Sequence, residues 1–134
     1  MLNSLKKEDI GMKKIFFTLM LSMFILQSQA VDITPVINAF KAGNADLLKE
    51  MMAANVDMVT PDTSKKGSGN DAITLLKSFF RDNKPAGFTV AHHADKNESG
   101  FIVCKLTTEN REFRVNITYT VKDGKILITI IRIE

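Results

Sequence analysis

A single cysteine in 134 residues excludes an internal disulfide, so core packing alone must hold this chain together. Cys104 lies between Val103 and Lys105 in an extended apolar run. That is the setting of a buried, unreactive thiol, and no activating partner stands near it. Histidine is almost as scarce. His92 and His93 are the only two, and neighbours on a strand point to opposite faces. They cannot chelate one metal together. No group with metal-ligand spacing, no Ser-His-Asp arrangement and no nucleophile elbow occurs, so neither a metal nor a cofactor is expected. The loop carrying Asp62, Lys65 and Lys66 is rich in glycine but lacks the spacing of a phosphate-binding loop.

Only one long hydrophobic run is present. Met12, Lys13 and Lys14 form a short basic start, and Ile15 to Leu26 is apolar apart from Thr18 and Ser22. Ser28-Gln29-Ala30 then puts small residues where a signal peptidase reads. The run is short for a membrane span, no positive cluster follows to stop transfer, and no cysteine is available there for lipidation. Residues 1–30 are therefore expected to be an N-terminal extension plus a secretory signal peptide, with Met12 the better start than Met1. Residues 31–134 are expected to be one exported domain, periplasmic or secreted, without a stable membrane anchor after cleavage.

Charge of one sign is lacking as well. The precursor carries a net +3, but residues 1–30 hold four lysines and two acids. The remainder has 14 basic and 13 acidic residues, a net charge of about +1. Nucleic-acid binding thereby loses its electrostatic basis, and no nucleic-acid partner is expected.

Helical signals come first in the mature chain. Thr34 is placed to cap a helix with Pro35 at its first position and Val36, Ile37 and Phe40 on one face. Gly43 ends it, and Asn44 caps a second short helix. Val56 to Val59 reads as a short strand, and Pro61 to Gly69 as a polar loop. Ser68 and Asp71 can form a capping box for a helix from about Asn70 to Asp82. Ala72, Ile73, Leu76, Phe79 and Phe80 recur on it at three-to-four spacing. Lys84-Pro85 prevents its continuation.

Four β-rich runs follow: Phe88 to Ala94, Phe101 to Thr108, Glu112 to Lys122 and Lys125 to Ile133. Asp123-Gly124 is a two-residue hairpin signal that sets Val121 opposite Ile126 and Tyr119 opposite Ile128. Continued without interruption, the register sets Ile117 opposite Ile130 and Val115 opposite Arg132. The reverse face then carries Arg114, Asn116, Leu127, Ile131 and Ile133. This half-apolar surface is the expected face of a homodimer. The fold class is α+β, with N-terminal helices packed on a curved four-to-five-stranded antiparallel sheet.

The order helix, helix, strand, helix, four strands resembles the nuclear transport factor 2-like, or cystatin-like cone, superfamily. Asn44-Ala45-Asp46-Leu47-Leu48, then Asn55-Val56-Asp57-Met58-Val59, look like its opening signature, as does Gly69-Asn70-Asp71-Ala72-Ile73 leading to Phe79-Phe80. Leu75 to Asn83, Phe88 to His92, Phe113-Arg114-Val115 and Ile130 to Glu134 resemble, more closely, a family of small exported bacterial proteins with a domain of unknown function. The resemblance covers essentially all of residues 31–134. It implies a cone between the long helix and the concave sheet, which in this superfamily often holds a small apolar ligand. Members include ketosteroid isomerases, polyketide cyclases, dehydratases and catalytically silent binding or docking domains, so fold does not give function.

Phe80, His92, Tyr119 and Arg132 are the expected ligand-contacting residues. His92 shares a strand face with Phe88 and Val90, which directs it toward the cone, and His93 is expected in solvent. Arg132 is expected on the apolar face near the cone's mouth, within reach of an anionic group. In the isomerase relatives a tyrosine stabilises an oxyanion while a buried aspartate moves protons. Tyr119 is the only tyrosine, but Asp95, Glu98, Glu109 and Asp123 read as loop or turn residues, leaving it without an acid. The expected function is non-catalytic binding of a small apolar or anionic ligand or of an envelope protein. The alternative is an isomerase, dehydratase or cyclase using His92 with Tyr119 or Arg132.

Overall fold

In the computed structural model residues 31–134 are described; the leader and the choice of start lie outside the described residues. Asp32 opens the fold by accepting the Thr34 N–H at 3.0 Å. Thr34 is thus the first residue of helix α1 (Thr34–Ala42) rather than its cap. Gly43 ends α1 in the left-handed region at φ 63°, as expected of a glycine there. The Asn44 side chain accepts the Asp46 N–H at 3.2 Å and starts a 3-10 helix, Ala45–Met51.

Strand β1 covers Met52–Val59 and pairs with β2, Ser64–Ser68. The segment read as a polar loop is therefore largely a strand. Ser64-Lys65-Lys66-Gly67-Ser68 has no apolar alternation because it buries neither face. Backbone pairing alone makes it a strand, and its lysines suit an exposed sheet edge. Helix α2, Gly69–Asp82, starts with the expected capping box: Ser68 and Asp71 exchange hydrogen bonds of 3.1 Å.

Strands β3 (Pro85–Asp95), β4 (Ser99–Thr108), β5 (Glu112–Lys122) and β6 (Lys125–Ile133) complete a six-stranded sheet of order β2-β1-β6-β5-β4-β3. The fold is α+β as expected, with one strand more and one parallel pair, β1 with β6. The helices bury Val36, Ala39, Phe40, Leu76, Phe79 and Phe80 against one sheet face. Phe40 stacks on Phe88 with centroids 4.8 Å apart and meets Phe80 edge-on at 5.4 Å. Each such side chain contributes about 1.5–3 kcal/mol on burial.

Two β-bulges decide which residues face the core. Asp123 and Gly124 turn with positive φ (53° and 74°), and Tyr119 faces Ile128 as expected. The register then slips by one: Thr118 faces Ile130 and Ile117 faces Ile131, leaving Thr129 as an extra residue. Because strand side chains alternate, every later residue of β6 changes sides. Ile131 and Ile133 are fully buried in the core, not on the reverse face. Arg132 points away from the core and pairs with Glu134 at 3.8 Å, half exposed. In β3, Val90 pairs with Cys104 and His92 with Val103, so Ala91 is the extra residue. Phe88 and Val90 face the core before it; His93 and Asp95 do so after it.

Candidate functional site

The bulge at Ala91 creates the polar site of this domain. By simple alternation His92 would follow Phe88 and Val90 inward; the extra residue turns it outward and brings His93 in. His92 is exposed on the outer face, its ring 5.5 Å from that of Phe101. His93 and Asp95, two residues apart, instead share the core side at the end of β3.

Tyr119 meets them across β4. Asp95 pairs with Gly100, and Gly100 pairs with Tyr119, so the three lie in one line across three strands. Two strand spacings separate Tyr119 from Asp95, about 9.6 Å. The tyrosine spans this gap because its ring lies over Gly100. A Cβ there would sit 2.6 Å from Cζ and 2.7 Å from Cε2 of Tyr119, closer than real side-chain contacts permit.

The Tyr119 hydroxyl donates a short hydrogen bond to Asp95 Oδ1. His93 Nε2 lies 2.9 Å from Tyr119 Oη and 3.0 Å from Asp95 Oδ1. With its proton on Nε2, His93 donates into the same pair. Tyr119 is fully buried, whereas His93 and Asp95 side chains are 24% and 26% exposed. The cluster therefore spans the boundary between core and rim.

Electrostatics push its groups apart. Burial on its own would raise the Asp95 pKa, but hydrogen bonds from Tyr119 and His93, the charge of protonated His93 and the Val31 N–H outweigh it and hold the carboxyl below its ordinary value. Desolvation, then the hydrogen bond to Asp95 and its negative charge, push the Tyr119 phenol well above its ordinary value. A proton-transfer pair works best with pKa values near the working pH. Here the acid has become a weaker acid and the base a weaker base. Cys104, pushed up to about 12 by desolvation, is equally inert.

The four residues expected to contact a ligand do not converge. Phe80 belongs to the aromatic core, Tyr119 to the polar cluster, and His92 and Arg132 to the outer surface. Asp95, read as a loop residue, ends β3 beside Tyr119, so Tyr119 does have an acid partner. Of the residues expected on a dimer face, Arg114, Asn116 and Leu127 do lie outward. The Asn116 Oδ1 atom is buried there without a hydrogen-bond partner among the described residues. Gly100 was the available signal for this site: an isolated glycine inside a strand marks a close approach by another group.

Two grooves open elsewhere. One of about 430 Å³ lies between α1 and α2, lined by Asn44, Asp46, Lys77, Arg81 and Lys84 among others. The other, about 550 Å³, lies on the outer sheet face among Ala91, Val103, Lys105, Glu112, Arg114 and Glu134. Neither is lined by Tyr119, His93 or Asp95.

Helices packed on one face of a curved sheet in this strand order are the nuclear transport factor 2-like fold. Solved structures agree. An NTF-2 like protein of unknown function from Silicibacter pomeroyi DSS-3 superposes with a TM-score of 0.56 over 76% of this chain and 87% of its own, at 11% identity. More specifically, residues 33–134 match the domain of unknown function DUF4783, and the chain belongs to that family. Its Bacteroides ovatus ATCC 8483 member is 33% identical, with a TM-score of 0.72 over 78% of this chain and 96% of its own. The Bacteroides fragilis YCH46 member is 36% identical, with a TM-score of 0.69 over 74% and 93%. No curated protein matches the sequence.

Proposed function

We propose that this is an exported, non-catalytic protein-interaction domain that self-associates through the outer face of its sheet. The observation that carries the reading is the closure of the cone. Ile102, Ile117, Tyr119 and Ile128 have no accessible surface, so no water-sized void lies against them. The phenol and carboxylate that could do chemistry are bonded to each other, with pKa values displaced away from proton transfer.

The outer face suits a second copy. Leu127 and Ile130 are partly buried at its centre and Phe101 is 38% exposed at its edge. Charges of both signs border it, with Lys105 on Glu112 at 3.0 Å and Arg132 near Glu134. A two-fold partner can mate such alternating charges and offer a donor to the orphaned Asn116 oxygen. An envelope protein is the alternative occupant.

One observation favours a second reading, an isomerase-like enzyme: Tyr119, His93 and Asp95 do converge within hydrogen-bond reach. Sedimentation of residues 31–134, with thermal melting against small apolar and anionic metabolites, separates the readings. The proposal expects a dimer and no saturable stabilisation that depends on His93. A monomer at all concentrations, or a ligand whose stabilising effect disappears with His93→Ala, contradicts it.

A further inference from the structure

We propose that the groove between α1 and α2 binds a small organic phosphate, a phosphate monoester carrying a compact apolar body. The groove holds about 430 Å³, within the range of small-molecule sites. It shares no lining residue with the outer-face groove or with the Tyr119 cluster. Its apolar part is the buried Phe80 and the ring of Pro85. Gly43 lets the end of α1 close onto that ring, because a Cβ there would stand 3.0 Å from Pro85 Cδ. Around it, Lys77, Arg81 and Lys84 are accompanied by a single acid, Asp46. Lys77 is committed to that acid at 2.9 Å. Arg81 gives only its Nε to Asp82, at 3.3 Å, so both its terminal nitrogens are without a partner among the described residues. Lys84 pairs with no acid among the described residues. Asn44 commits its side-chain oxygen to the Asp46 N–H at 3.2 Å, which leaves its NH2 group as a neutral donor.

Charge decides the ligand class. The groove lining carries a net +2, where all of residues 31–134 carry about +1. Helix-end electrostatics do not account for the excess. Cations near a helix C-terminus offset its dipole, but the effect is confined to the last turn. Lys77 lies before the last turn of α2, which ends at Asp82. Lys77 and Arg81, one turn apart on the same face, also repel each other. A phosphate monoester, close to a dianion at neutral pH, matches the groove's charge. The Arg81 fork gives such an oxyanion two parallel hydrogen bonds, and Lys84 supplies the second charge. A carboxylate leaves one cation unmatched, and a neutral ligand leaves both. The apolar body of the ligand then covers Phe80 and Pro85.

Residues 31–134 hold a complete core, and relatives of nearly this extent have been crystallised, so the domain can be tested alone. Phenyl phosphate is titrated into it and followed by amide NMR. A saturable response at Gly43, Asn44, Arg81 and Lys84 is expected, with a Kd of about 1 mM or tighter, as suits exposed charges. Phenol, which keeps the ring without the charge, is expected to give none. Inorganic phosphate, which lacks the ring, is expected to bind about ten-fold more weakly. Arg81 and Lys84 are exposed, so the double variant Arg81→Gln with Lys84→Gln is expected to fold and to weaken binding about ten-fold or more. Raising the salt from about 50 to about 500 mM is expected to weaken binding to the unaltered domain, a readout that needs no variant. No saturable response by about 10 mM overturns the proposal. So does binding that phenol reproduces, that salt leaves unchanged, or that survives undiminished in the double variant. Vesicles containing phosphatidic acid present the same head on a lipid, and sedimentation with them alone, without a response to phenyl phosphate, overturns the soluble ligand.

Discussion

The Tyr119 hydroxyl reaches the Asp95 carboxylate across an intervening strand because Gly100, between them in register, has no side chain. This single contact ties β5 to the end of β3 and closes the rim of the sheet over the core.

Gly100→Ala is expected to destabilise the domain by about 1–3 kcal/mol, the usual cost of forcing a group into a packed site. Urea unfolding measures it. The ring of Tyr119 is fixed by buried neighbours and cannot simply swing aside. An alanine tolerated without loss would mean that the tyrosine does not lie over this residue.

Tyr119→Phe keeps the ring and removes the donor. A hydrogen bond to a charged group contributes about 1.5–3 kcal/mol, and a loss of that size is expected in the same assay. His92→Ala, on the exposed outer face, is expected to change stability by about 0.5 kcal/mol or less. His93→Ala should cost more than His92→Ala, because only His93 reaches the cluster.

Acid should weaken the domain through Asp95. Its folded pKa lies below the unfolded value of about 3.9, so its stabilising contribution is complete above that value. The contribution is lost as pH falls through the lowered folded pKa. Asp95→Asn is therefore expected to lower the melting temperature at neutrality and to flatten its decline in acid. An unchanged acid slope would contradict the assigned hydrogen bonds.

The bulge at Thr129 gives a paired test on adjacent residues. Ile131→Asp puts a charge in the core and is expected to prevent folding, whereas Ile130→Asp is expected to leave the domain folded and to abolish self-association. Circular dichroism and sedimentation read the two effects. The opposite pattern would restore the uninterrupted register.

How far the sequence discloses this structure depends on where local signals act. Helix α2 was legible because Ser68, Asp71 and five apolar residues all report on the same turns. The Asp123-Gly124 turn was legible because few residues accept positive φ. The bulges at Ala91 and Thr129 were not, since neither residue has a chemistry that marks it. One uncounted residue in each strand reversed His92 with His93 and Ile130 with Ile131, and moved Arg132 outward. The site was lost with the register: Asp95 read as a loop residue only because β3 was ended one residue too soon. Strand β2 escaped notice because it buries no apolar face.

Tyr119 is the only tyrosine and there is no tryptophan, so ultraviolet absorbance on raising pH titrates this one hydroxyl. Its raised pKa gives a stabilising contribution that is complete below about pH 10 and is lost above it, as the unfolded chain alone ionises. The account predicts no tyrosinate in the folded protein near pH 10, and its appearance only together with unfolding at higher pH. Ionisation at or below the ordinary value, with the fold intact, would contradict the closed cluster and restore Tyr119 as an acid available for catalysis.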